Sequence, residues 1–101
     1  MYARVTRGQT PPERLDEAIR GWAQYQREVT VGQEGFRGNY LLVDRQTGAW
    51  QIVGLWDSEA NIQATMTPPE QFEAMLKRGD VLAMPTVEVL EVAARNPDPR
   101  V

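Results

Sequence analysis

The stretch GFRGNYLLVDRQTGAWQIVGLWDSE, residues 35–59, reads as two strands joined by a tight loop. Phe36–Asp44 and Ala49–Asp57 carry the valine, isoleucine and aromatic content of strands. Arg45, Gln46, Thr47 and Gly48 form a four-residue hairpin loop, with Gly48 suited to positive φ. A simple register pairs Val43 with Trp50, Leu41 with Ile52, Asn39 with Gly54 and Arg37 with Trp56. The opposite face then carries Phe36, Gly38 with Leu55, Tyr40 with Val53, and Leu42 with Gln51. Both faces are substantially apolar, so the sheet built on this hairpin needs a cover on each side.

The flanking sequence supplies one cover. Tyr2–Arg7 reads as a first strand and Gly8–Thr10 as a turn. Thr10 is the expected N-cap of a helix, with Pro11 at its first position and Glu13 three residues after the cap. Leu15, Ala18, Ile19, Trp22, Tyr25 or Gln26, and Val29 then recur at helical spacing, ending at Gly32 and Gly35. After the hairpin, Asp57-Ser58 opens a short helix from Glu59 to about Thr65. Thr67-Pro68-Pro69-Glu70 opens another through Arg78, with Gly79 just past its end. Met84–Ala93 is a valine-rich last strand, with Val87 and Val89 pointing one way and Leu90 and Val92 the other. The order is β-α-β-β-α-β, an α+β ferredoxin-like pattern: one four-stranded antiparallel sheet with helices on one face. A domain over residues 1–95 and a proline-containing tail over 96–101 are expected. The second apolar face would be a large exposed patch on a monomer, and a homodimer with two sheets face to face covers it economically.

Composition narrows the chemistry. At 101 residues the chain fits one domain. It has no cysteine and no histidine, which excludes disulfides, thiolate nucleophiles, imidazole bases and histidine-ligated zinc or haem. Its net charge of −3, with scattered basic residues, argues against nucleic acid as a partner. No apolar run approaches a membrane span, and Met1–Thr10 lacks the apolar region of a signal peptide, so a cytoplasmic protein is expected. The carboxylates fall at helix caps, on solvated helix faces, or, for Glu88 and Glu91, on opposite faces of a strand. None pairs for acid–base work or for a cation, so no metal is expected.

From Tyr2 to Ala94 the chain resembles the dimeric α+β barrel superfamily, and more closely its antibiotic-biosynthesis-monooxygenase-like group. The resemblance rests on the opening strand Tyr2-Ala3-Arg4-Val5, the helix from Pro12 to Val29, the Gly35-Phe36-Arg37-Gly38 start of the second strand, and Leu55-Trp56-Asp57-Ser58-Glu59 at the exit from the third. The group includes cofactor-independent oxygenases of aromatic polyketides, haem-degrading enzymes, and proteins without a known role. The resemblance implies a homodimer that oxidises a small aromatic or quinoid metabolite without a cofactor, the substrate anion itself reducing oxygen. The alternative is a non-catalytic homodimer that binds a small molecule or serves in stress. Two departures stand out: the first strand offers Arg4 and Thr6 where oxygenases of the group often use asparagine, and there is no histidine for the haem branch.

The candidate catalytic residues are Trp56, Asn39 and Arg37, which the simple register places on one face. Gly54, opposite Asn39, would leave room there for a ligand edge. An amide and a guanidinium beside an indole could bind and polarise a phenolate. Trp22 and Tyr25 on the first helix, with Met66, Phe72 and Met75 opposite, are the candidate substrate-binding walls. The plainer reading makes Trp56 and Trp22 core aromatics and Arg37 a solvated strand-end charge.

Overall fold

A computed structural model describes residues 1–97. Strand β1 (Tyr2–Gln9) leads through a single 3-10 turn into α1 (Leu15–Glu28). The hairpin strands β2 (Phe36–Val43) and β3 (Ala49–Trp56) follow, then the short helices α2 (Glu59–Gln63) and α3 (Pro69–Arg78), then β4 (Thr86–Glu91). The sheet order is β2-β3-β1-β4 and every neighbouring pair is antiparallel. This is the expected ferredoxin-like α+β architecture. Of the expected tail, residues 98–101 lie outside the described residues.

The elements differ from expectation where tertiary contacts claim a residue that local pattern assigns elsewhere. Gly8 is not in a turn: β1 continues through Gln9, and Gly8 pairs with Trp50, whose indole lies where a Cβ at residue 8 would be. Glycine is needed there for space rather than for its backbone freedom. Thr10 does not cap the helix. It is buried, and its Oγ1 accepts a hydrogen bond from Trp50 Nε1 at 2.9 Å; Pro11 is the N-cap of the 3-10 turn and Arg14 that of α1, neither with a side-chain bond. An indole N–H taken out of water needs a partner, and Thr10 provides it. Thr67 likewise gives way to Pro68 at the start of α3. Ser58 caps α2 as expected, its Oγ accepting from the Asn61 N–H at 3.1 Å. Gly48 closes the hairpin with φ of 79°, and β4 is shorter than the expected Met84–Ala93.

The hairpin register holds from Val43↔Trp50 through Asn39↔Gly54 and then breaks. Phe36, not Arg37, lies opposite Trp56, so the strand is irregular between Phe36 and Asn39, as in a β-bulge. Gly38, with φ of 110°, supplies backbone that other residues rarely adopt. Phe36 is thereby turned to the face opposite to the one the uninterrupted register gives it. Its ring meets Trp56 edge-on, with centroids 5.1 Å apart.

Pleating sends Arg4, Thr6, Asn39, Leu41, Trp50, Ile52 and Trp56 toward the helices, and Val5, Tyr40, Leu42, Val53, Leu55 and Leu90 to the bare face. The helices stand off the sheet. Leu15 is the one buried residue that α1 contributes, and α3 contributes none. The side chains that are 2% exposed or less lie toward the two ends of the sheet: Trp56 ends β3 with Ile62 on α2 just after it, while Val81 precedes Leu82, whose N–H donates to the Gln9 carbonyl at the far end of β1. A cavity occupies the gap.

Candidate functional site

The cavity measures about 970 Å³ and lies between the inner face of the sheet, α1, and the segment running from Ala64 into α3. Seven of the eight residues expected in the site line it. Trp56 and Asn39 form part of the floor, Trp22 and Tyr25 hang from α1, and Met66, Phe72 and Met75 form the far wall. Tyr25 is 57% exposed, which puts its phenol at the mouth. The helix stripe that local pattern reads as core thus borders empty space over much of its length.

Arg37 is the exception. The irregularity after Phe36 takes it off the cavity face, and it forms a bidentate ion pair with Asp57: Nε donates to Oδ1 at 2.6 Å and Nη2 to Oδ2 at 2.9 Å. Both side chains are exposed. The hydrogen bonds and the opposite charge raise the Arg37 pKa and hold the Asp57 carboxyl below the usual carboxylate range. The pair clamps the start of β2 to the exit of β3.

The space over Gly54 is also occupied. A Cβ there would lie 3.2 Å from Trp56 Nε1, so the Trp56 indole folds back over the glycine and fills the place expected for a ligand edge. That indole is fully buried, and among the described residues its N–H has no hydrogen-bond partner. Packing holds it instead, through the edge of Phe36 and the guanidinium of Arg4, whose Cζ lies 5.3 Å from the ring centroid.

Two residues gain a place in the site. Gln26 faces the cavity from α1, and its Oε1 accepts from Asn39 Nδ2 at 2.7 Å, tying the helix to β2. The alternation on α1 left Tyr25 and Gln26 as equal candidates for this stripe, and both line the cavity. Arg4 enters from β1. Its Nη1 donates to the Thr65 carbonyl at 3.0 Å and the Thr65 hydroxyl at 3.1 Å, and sits 4.0 Å from Met66 Sδ. Burial lowers the Arg4 pKa, partly offset by the nearby Tyr25, yet a guanidinium starts so high that it stays charged at neutral pH. The signal for Arg4 was the face it shares with Thr6 on β1, which needs the sheet order to show whether that face is covered.

Among the described residues, no group of three or more carboxylates gathers as a metal site, and no helix is long and apolar enough to cross a membrane.

The family model described as antibiotic biosynthesis monooxygenase matches residues 1–78. No curated protein matches the sequence. Among solved structures, an antibiotic biosynthesis monooxygenase superposes with a TM-score of 0.69 at 15% identity, over 93% of this chain and 100% of the other. SnoaB, a cofactor-independent oxygenase from Streptomyces nogalater, gives 0.66 at 15% identity, over 96% and 97% of the two chains. The heme-degrader MhuD from Mycobacterium tuberculosis, with two hemes bound in its active site, gives 0.70 at 18% identity, over 94% and 98%. At these identities the likeness is one of fold.

Proposed function

Because the chain belongs to the antibiotic biosynthesis monooxygenase family, we propose that it oxidises a small aromatic or quinoid metabolite in the cavity without a cofactor. The observation that carries this reading is the cavity's lining: Trp22, Trp56 and Phe72 offer aromatic surface, and Asn39, Gln26 and Arg4 offer polar contacts. A volume of about 970 Å³ accommodates a fused-ring ligand with room for dioxygen. The aromatic walls orient the ring, and the polar groups stabilise its ionised form, which is the electron donor to oxygen. For a phenol the balance is simple. One oxygen atom bonds to a ring carbon and becomes the second quinone carbonyl. The other leaves as water with the phenolic proton and the hydrogen displaced from that carbon.

The working unit of this proposal is a homodimer. Tyr40, Leu42 and Leu90 on the bare face of the sheet are each about half exposed or more, at 66%, 50% and 49%, and a second copy of the sheet covers them. Sedimentation at micromolar concentration should return the dimer mass, and a stable monomer refutes this part.

The test of activity is a panel of phenols and quinols followed by oxygen uptake and tryptophan fluorescence together. Expected are saturable quenching, uptake of one oxygen molecule per phenol consumed, and one labelled atom in the quinone when labelled dioxygen is used. Quenching without uptake assigns a non-catalytic small-molecule binder. Silence in both refutes the cavity as an aromatic site.

A further inference from the structure

Arg4 is a cation set into the floor of the cavity with no anion to meet it. Among the described residues no carboxylate lies within ion-pair distance of its guanidinium, although Arg7, Arg14, Arg37, Arg45 and Arg78 each have one. Its partners are neutral: a carbonyl, a hydroxyl, a thioether and the face of Trp56. Among the described residues all its hydrogen bonds use Nη1, and Nε and Nη2 have no acceptor there. Those nitrogens are not sealed away either, since the buried side-chain nitrogen left without a partner is Trp56 Nε1. The carboxylates in the lining belong to Asp80, already engaged by Arg14 and Arg78, and to Glu17, exposed on α1. A chain of net charge −3 therefore encloses a cavity lined by three arginines and two carboxylates. A half-buried charge that meets only neutral groups costs free energy, and an incoming oxyanion removes that cost.

We propose that the cavity selects an aromatic oxyanion, a carboxylate or a phenolate, which binds Arg4 through Nε and Nη2 while its ring lies among the aromatic walls. This rests on the reading of the cavity as an aromatic site and adds the charge of the ligand. The geometry suits the assignment. Nη1 is fixed to the segment between α2 and α3 through Thr65, and the Trp56 indole lies against the guanidinium. The free edge is thus pre-oriented, so little rotamer freedom remains to be lost on binding. For a phenol the same contact favours the ionised form, the one that gives electrons to oxygen.

The test uses matched neutral and anionic probes, measured by calorimetry on the full-length protein. Naphthoate is compared with naphthamide, and para-nitrophenolate with para-nitroanisole, above the ionisation range of the phenol. At least one anion should bind about tenfold or more tighter than its neutral partner, the fold-change of one charge-assisted hydrogen bond. Which pair shows the preference identifies carboxylate or phenolate as the source. In Arg4→Gln the preference for the anion over its neutral partner should vanish, and Arg4→Lys should keep part of it. Equal binding of charged and neutral probes to the wild type overturns the anion assignment and leaves the aromatic site standing. A preference that survives in Arg4→Gln overturns the role of Arg4. Failure of all four probes to bind the wild type overturns both. The wild-type comparison decides the matter even where Arg4→Gln does not fold.

Discussion

The two faces of the sheet are both largely apolar, and they differ in what lies over them. The face under the helices, ordinarily the dry core of such a fold, carries Arg4, Thr6 and Asn39 and borders a cavity. The face with no cover carries Val5, Val53, Leu55, Tyr40, Leu42 and Leu90. Strand alternation forces the choice at every position, and here it sets Arg4, Thr6 and Asn39 among the apolar side chains Leu41, Trp50, Ile52 and Trp56 of the inner face. The contrast teaches that cover and core are separate matters: the inner face has helices over it and still borders a cavity, and the outer face has no helix over it and leaves Tyr40, Leu42 and Leu90 exposed.

The sharpest way to break that contrast is to charge the outer face. Val5 sits on the central strand β1 and is 8% exposed in the single chain, so Val5→Asp buries an unpaired carboxylate and should cost roughly 3 kcal/mol or more. Wild-type-like thermal melting would show that this face is not packed. Leu42→Glu, at a site half exposed in one chain, should separate the proposed homodimer with a smaller loss of stability, read by sedimentation. On the inner face, Gly8→Val drives a branched side chain into the Trp50 indole, and denaturant melts should show a loss of about 1–3 kcal/mol. Thr10→Val strands the Trp50 N–H and should lose about 1–3 kcal/mol, with a shift in tryptophan emission. The smallest effect belongs to Arg37, outside both layers. Arg37→Ala should leave ligand affinity unchanged and lower stability slightly. Asp57 has a folded pKa below its unfolded value, so its contribution is present above about pH 4 and is lost as pH falls through the lowered folded value. The variant should therefore show a shallower acid limb in melting temperature against pH, and an identical limb would exclude the pair as its cause.

The element order, the hairpin and most of its register were legible in the sequence, because turn chemistry and alternation are local properties. So was the membership of most cavity residues, because a helical stripe marks the inward side whether or not it is filled. Residues claimed by distant partners were not legible. Thr10 has the form of a cap and serves Trp50 instead. Gly8 has the form of a turn and makes room for the same indole. Arg37 was misplaced by one irregular residue, and Arg4 was visible as a polar side chain on β1 but not as an inward one. In each case the deciding neighbour lies some 40 or more residues away, or, for Arg37, depends on a break in pairing that Gly38 permits without requiring.

That break has a consequence of its own. Phe36 and Asn39 are three apart, an odd interval that regular pleating would place on opposite faces, yet they lie opposite Trp56 and Gly54, two residues on one side of β3. The bulge acts as a parity change written into one strand. Upstream of it the strand speaks to the hydrophobic floor, and downstream of it to the cavity and the bare face. A deletion of Gly38 would remove the extra residue: Phe36 and Asn39 would then be two apart, and regular pairing alone would keep Phe36 opposite Trp56 and set Arg37 opposite Leu55. With all residues present, pairing without the bulge sets Arg37 opposite Trp56 instead. The bulge thus decides whether the start of β2 presents an aromatic edge or a positive charge to the interior.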